Sequence, residues 1–231
     1  MSQADHPLRA RPLDALAPHY DVVVVGSGYG GGVAASRFAR MGLRVAVLEQ
    51  GRLWHPGDFP TTIGARRRAM RIEGRRITLG DPTGLFRMTA GRGMSVFAAT
   101  GVGGGSLVNA GVVLRPDFSR LRRLGWPRAV LGDGGLADGL SRAEHMLGVG
   151  AVPQPERFAK YHGMVRAAEI AGGEVILPRM TISHRAGLNA AGVQQPACRA
   201  CGDCWSGCNV GAKNTVGVTY LADAAPCAAA S

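Results

Sequence analysis

Two stretches of the chain hold residues whose types and spacing could do chemistry. In the first, Val22-Val-Val-Val-Gly-Ser-Gly-Tyr-Gly-Gly31, residues Gly26, Gly28 and Gly31 fit the spacing G-x-G-x-x-G. A first glycine lets a strand turn sharply, a second lets backbone N–H groups approach a pyrophosphate, and a third lets a helix pack closely on the strand. Unpaired N–H groups and the positive end of the helix dipole would then hold the anion. Glu49 closes a second apolar run, Val45 to Leu48, where a carboxylate can accept hydrogen bonds from ribose hydroxyls. G-x-G-x-x-G alone is a weak signal, but strand, glycines, helix, second strand and acid occur here in the order of one βαβ unit. The stretch predicts a dinucleotide site.

The second stretch is Cys198-x-x-Cys201-x-x-Cys204-x-x-x-Cys208. It has the cysteine spacing of a bacterial ferredoxin run, with Asn209 where proline usually follows. Close thiolates with short spacers containing Gly202 and Gly207 can wrap an iron–sulfur cubane. A four-thiolate zinc site normally uses two well-separated C-x-x-C knuckles, so zinc is the weaker metal reading. In two-cluster ferredoxins the fourth cysteine serves the other cluster, and Cys227 could then supply the missing ligand. The competing reading is a reduced, metal-free turn packed near the cofactor.

These groups need elements to position them. Val22 to Val25 is an unbroken β-branched run, as expected of a parallel strand buried on both faces. Ala34, Phe38 and Met41 share a helical face, and Gly42 is a left-handed stop. Residues 52 to 95, rich in Arg, Gly and Pro, read as an excursion covering the cofactor. A second glycine turn, Gly101-Val-Gly-Gly-Gly-Ser-Leu-Val-Asn109, sits inside an apolar stretch and suggests another close approach of backbone to a ligand. Leu136, Leu140, Ala143 and Leu147 mark a helix with Asp133 as N-cap and Gly148 as stop. Phe158, Tyr161, Val165 and Ala168 mark another, begun near Pro155 and broken at Gly172-Gly173, and Glu174 to Ser183 reads as a strand. His145, His162 and His184 stand alone and read as surface or packed residues.

Composition narrows the class. A chain of 231 residues with 46% hydrophobic content suits a globular protein with a substantial core. No apolar run is long enough to span a bilayer, and Met1 to His19 lacks a signal-peptide core, so a cytoplasmic location is expected. Five cysteines, an odd number, argue against a disulfide framework. The net charge of +11 is densest at Arg66, Arg67, Arg68, Arg71, Arg75 and Arg76. No nucleic-acid motif and no interleaved aromatics accompany it, which favours a solvated face or contacts to an anionic cofactor or a missing partner segment.

Taken together, the stretches resemble the N-terminal part of the glucose–methanol–choline (GMC) oxidoreductase family, in its bacterial cholesterol-oxidase-like branch. The residues carrying this are 24–37, 47–51 and 101–111, with the cysteine segment, Gly211-Ala-Lys-Asn-Thr215 and Thr219-Tyr-Leu221. The resemblance covers residues 20–221. It implies an α/β, Rossmann-like FAD-binding domain over 20–221; outside it, the residues themselves read as a polar, Pro-interrupted tail at 1–19 and an irregular tail at 222–231. It further implies FAD, with hydride passing from a sterol or other alcohol to the flavin. Gly26, Gly28, Tyr29, Gly30, Gly31 and Glu49 match positions that hold the ADP half, and Gly105 and Asn109 match positions against the flavin and ribityl end. Family members are far longer, and their catalytic base, a histidine with a histidine or asparagine partner, lies toward the C-terminus. No residue here matches that base. The expectation is a truncated, split or degenerate copy, inactive alone, with a missing C-terminal half. An iron–sulfur electron-transfer module and an NAD(P)-dependent dehydrogenase fragment are the alternatives.

Overall fold

The β-branched run forms a strand and a helix follows the glycines, but the helix does not bury the expected Ala34, Phe38 and Met41 face: Phe38 is 37% exposed and Met41 71%. A computed structural model describes residues 7–132 and 134–228, the last three without their side chains. β1 (Val22–Val25), α1 (Tyr29–Arg40) and β2 (Val45–Leu48) make the βαβ unit, with Val22 opposite Val45 and Val25 opposite Leu48 in parallel register. The chain is thus an α/β protein with a Rossmann-like start. α1 buries Gly32, Ala35, Ser36 and Ala39, a stripe at i, i+3, i+4 and i+7. Its small side chains let it sit close to Val216 and Tyr220 in a core completed by Met146, Leu147 and Leu221.

Another expectation fails here. β1 is not buried on both faces: Val23 is 55% exposed and Val25 83%. Among the described residues β1 and β2 form a sheet of two strands, so the side chains alternating away from the core have no second layer.

The excursion at 52–95 is a sheet. α2 (Ile63–Arg68) leads into β3 (Met70–Glu73), β4 (Thr78–Gly80), β5 (Phe86–Ala90) and β6 (Ser95–Ala99), in the order β4-β3-β5-β6. Two antiparallel hairpins are joined by the parallel pair β3–β5. Strand alternation puts Met70, Ile72, Phe86 and Met88 on one face. Phe86 closes a second core with Trp54, Phe59, Ala69, Leu85 and Leu107. On the opposite face Glu73 bridges Arg87 at 2.7 Å and Arg71 at 2.8 Å, and the Arg87 hydrogen bond holds its carboxyl below the usual range. Strands of three to five residues are too short for their period to stand out in the sequence.

β7 (Val112–Val113), α3 (Phe118–Arg123), α4 (Arg128–Leu131), α5 (Gly135–Met146) and α6 (Ala159–Ile170) follow. α5 and α6 are the two expected helices; Asp133, expected to cap α5, lies outside the described residues. The expected strand at Glu174–Ser183 shrinks to β8 (Arg179–Met180), paired with β7. Its partners change at each step: Met180 exchanges hydrogen bonds with Gly150, Thr181 N–H donates to Gly111, and Ser183 N–H to Ala212. β9 (Gly187–Leu188) and β10 (Gln194–Gln195) form a short hairpin.

Residues 222–231, expected to be irregular, are helical over α7 (Ala222–Ala228), which continues a π-helical turn at Gly217–Leu221. A tertiary tie explains this. Ser36 Oγ donates to Asp223 Oδ2 at 2.6 Å and Arg40 Nε at 2.8 Å, which anchors α7 on α1 and keeps the Asp223 carboxyl below its ordinary pKa. Asp223 also sits in the first turn of α7, where the helix dipole favours a negative charge. No helix among the described residues is long and apolar enough to cross a membrane.

Candidate functional site

At the end of β1 the chain turns on Gly26, whose φ of +88° is a conformation glycine adopts at little cost. Gly26 N–H still donates to Leu48 O at 2.7 Å, so the corner stays fastened to β2. Gly28 is the N-cap of α1 and offers no side chain to its first turn, whose leading N–H groups lack an intrahelical acceptor. Gly31 is where helix meets strand: a Cβ there would stand 1.9 Å from Gly26 O. Around Gly28 and Gly30 the space a Cβ would enter is open. The corner is tight on its protein side and open on its outer side.

Glu49 faces this corner. Its Oε2 accepts from Ser27 N–H at 3.0 Å and from Ser27 Oγ at 2.6 Å, and its Oε1 accepts from Gly51 N–H at 2.9 Å. A carboxylate offers about four acceptor positions. These bonds fill both on Oε2 and leave one on Oε1, and the residue remains partly exposed.

The second glycine segment lies against the first. A Cβ on Gly104 would stand 2.8 Å from Gly28 Cα, and one on Gly51 would stand 2.3 Å from Gly101 N. Gly103 N–H donates to Ser27 Oγ at 3.0 Å. Asn109 Nδ2 donates to the Tyr29 hydroxyl at 2.6 Å, while Asn109 Oδ1 accepts from Gly111 N–H at 3.1 Å. Burial pushes the Tyr29 phenol above its ordinary pKa, and the Asn109 hydrogen bond opposes that rise. Gly105 is exposed, with open space where a side chain would project. The residues singled out in the first and second glycine segments are thus gathered around one corner, with Glu49 beside them.

A third segment, 211–221, locks the other two. Ser106 Oγ accepts from Val216 N–H at 2.9 Å and donates to Gly103 O at 2.6 Å. Val216 sits on α1 at Gly32, where a Cβ would meet Val216 Cγ1 at 2.2 Å. Lys213 is only 2% exposed; its Nζ donates to Leu107 O at 3.0 Å and Cys204 O at 2.8 Å. Burial brings its pKa down to about 8. Ser27, Ser106 and Lys213 were not picked out by spacing. Ser27 occupies an x position of G-x-G-x-x-G, where the motif sets no residue type, and the signal for Lys213 was a lysine inside Gly211-Ala-Lys-Asn-Thr215.

The cysteine segment does not assemble as a cluster. Among the described residues no group of three or more His, Cys, Asp or Glu could hold a metal ion, so Cys198, Cys201, Cys204 and Cys208 give the iron–sulfur expectation no support. All four are free thiols. The Cys227 side chain lies outside the described residues. Burial raises the Cys204 thiol above its ordinary pKa. Packing explains the rest of the motif. A Cβ on Gly207 would stand 2.0 Å from the Phe59 ring, and Asn209 Oδ1 accepts from Gly57 and Phe59 N–H at 2.8 and 3.1 Å. Asn209 Nδ2 returns a hydrogen bond to Phe59 O at 3.0 Å, so the residue in place of proline clamps a loop. Arg66, from the basic cluster, pairs with Asp203 at 2.6 Å and lies over Trp205.

Known proteins share this arrangement of sequence. A cholesterol oxidase of Acinetobacter baumannii is 30% identical over 217 residues, covering 87% of this chain and 38% of its own length. A cholesterol oxidase of Mycobacterium tuberculosis is 31% identical over 223 residues, 89% of this chain and 37% of its own. A long-chain-alcohol oxidase of Arabidopsis thaliana is 32% identical over 206 residues, 88% of this chain and 24% of its own. The chain therefore spans less than two fifths of the length of these curated relatives. A family model described as "GMC oxidoreductase" matches residues 29–229, nearly the whole distance from the glycine corner to the end of α7. On that match, and on the relatives that agree with it, the chain belongs to the GMC oxidoreductase family.

Proposed function

We propose that this chain is the FAD-binding portion of a flavin-dependent oxidoreductase acting on the CH–OH group of an apolar alcohol, of sterol or long-chain type. The GMC family uses FAD, and its N-terminal domain is the FAD-binding part. The observation that carries the proposal is the corner itself: open space outside Gly28 and Gly30, uncapped N–H groups behind it, and Glu49 alongside with an acceptor position to spare.

When bound, FAD supplies the hydride acceptor for the alcohol carbon. Gly28, Tyr29, Gly30 and Gly31 would hold its diphosphate through backbone N–H groups and the dipole of α1, at the corner that Gly26 turns with its own N–H kept on Leu48 O. Glu49 would accept from the ribose hydroxyls. Gly105 and Asn109 would lie toward the ribityl and flavin end, with Asn109 steered by its bond to Tyr29. Ser27 holds the Glu49 carboxylate in place and joins the two glycine segments. No residue of this chain is proposed as the catalytic base.

A thermal melt with FAD or NAD distinguishes the dinucleotides. Free ligand at 100 times its Kd adds about 2.7 kcal/mol to stability. For a chain of this size that raises the midpoint by about 5–10 °C. The expected result is this rise with FAD and none with NAD at the same concentration. An equal rise with both, or none with FAD, contradicts the assignment.

A further inference from the structure

The four-stranded sheet ends in two hairpin turns that leave it at the same edge. β3 and β5 run parallel, with Glu73 opposite Thr89, so the turns at 74–77 and 91–94 project the same way. The first reads Gly74-Arg75-Arg76-Ile77 and the second Gly91-Arg92-Gly93-Met94. Each sets arginine next to an apolar side chain held in solvent: Ile77 is 64% exposed and Met94 72%. Behind them, an apolar row crosses one face of the sheet, Leu79 beside Ile72 and Met88 beside Phe97. The ends of that row are open, with Leu79 60% and Phe97 50% exposed.

The charge on this edge is one-sided. The four strands and two turns contain five arginines, 71, 75, 76, 87 and 92, and a single acid, Glu73. Glu73 is already shared by Arg71 and Arg87. Arg75, Arg76 and Arg92 are exposed, and none of the ion pairs among the described residues uses them.

We propose that this edge docks on the surface of an anionic lipid bilayer. Two turns projecting from one edge can touch a flat surface together. Ile77 and Met94 would enter the boundary between headgroups and acyl chains while Arg75, Arg76 and Arg92 stay at the phosphates. A second copy of the chain is disfavoured because it would bring two positive edges together. Duplex nucleic acid attracts the same arginines but gives the apolar tips and the Leu79–Phe97 row nothing to bury against. The inference stands apart from FAD binding and can fail without it.

The test is flotation of the full chain with vesicles of phosphatidylcholine, with and without phosphatidylglycerol. Binding is expected only to the anionic vesicles and should weaken as salt rises. Each arginine near such a surface contributes about fivefold, so replacing Arg75, Arg76 and Arg92 together by Gln should weaken binding about 100-fold. Ile77→Ser with Met94→Ser should also weaken it. Gln at Arg120, Arg122 and Arg123, exposed arginines on α3, should leave it nearly unchanged. All these positions are exposed, and unchanged melting curves confirm that the variants fold. Equal binding to neutral vesicles, or equal losses from both arginine triplets, overturns the proposal. So does a dimer broken by the Ile77 and Met94 changes, or binding to duplex DNA but not to vesicles.

Discussion

Gly31→Val should abolish FAD binding and destabilise the chain, whereas Gly28→Ala should abolish binding while leaving stability intact. The two glycines lie three residues apart and differ in what surrounds them. A Cβ on Gly31 would stand 1.9 Å from the backbone oxygen of Gly26, which cannot rotate aside, so α1 would have to back away from β1. Overpacking of this kind costs about 1–3 kcal/mol, and valine adds two methyl groups to the clash. A Cβ on Gly28 meets nothing within 4 Å, and its φ of −68° is ordinary for any residue, so folding tolerates alanine. The methyl would instead occupy the space through which a diphosphate must reach the N–H groups. Urea unfolding and FAD titration of both variants separate the roles. If Gly28→Ala bound FAD as tightly as the parent chain, the open side of the corner would not be the anion site.

The second large effect concerns pH. Burial lowers Lys213 from an ordinary 10.5 to about 8, so between those values the unfolded chain binds a proton that the folded chain does not. Stability therefore rises with pH through that window, as the cost of burying an ammonium group disappears. Across the interval from 10.5 down to about 8, the gain amounts to about 3 kcal/mol. Cys204 works in the other direction: its thiol pKa is raised by burial, so its contribution is lost as pH climbs above the ordinary thiol value. Comparing the parent with Lys213→Met isolates the lysine. The variant leaves Leu107 O and Cys204 O without their donor and should be the less stable protein. The gap between the two should widen by about 3 kcal/mol from pH 8 to pH 10.5. A constant gap would show that Lys213 keeps its proton in the fold.

Local rules made some of this structure readable in advance and left the rest to tertiary contacts. The elements of the βαβ unit could be read because each has its own local cause, β-branched residues for β1 and glycine at the φ > 0 corner, but the face of α1 could not: its large apolar side chains Phe38 and Met41 face outward, and the small residues Gly32, Ala35, Ser36 and Ala39 pack inward. α5 and α6 could be read because their apolar faces repeat over twelve residues. α7 could not, because its anchor is a carboxylate on Asp223 meeting Ser36, 187 positions earlier. Burial of β1 on both faces was the wrong inference from a true strand, since a run of valines records what the strand can pack against and does not provide the second layer. Ser27 escaped notice because the motif that contains it is defined by glycines. The packing of the cysteine segment could not be read from its spacing, because local spacing says nothing about where a backbone is pulled. Asn209 and Gly207 bind that segment to the 57–59 loop.

The most direct measurement is a titration of the chain with FAD, followed by quenching of flavin fluorescence, with ADP then added as competitor. Saturation at a single FAD per chain and displacement by ADP are expected, because the corner and Glu49 grip the nucleotide half. Quenching that never saturates, or FAD that stays bound in excess ADP, would contradict this.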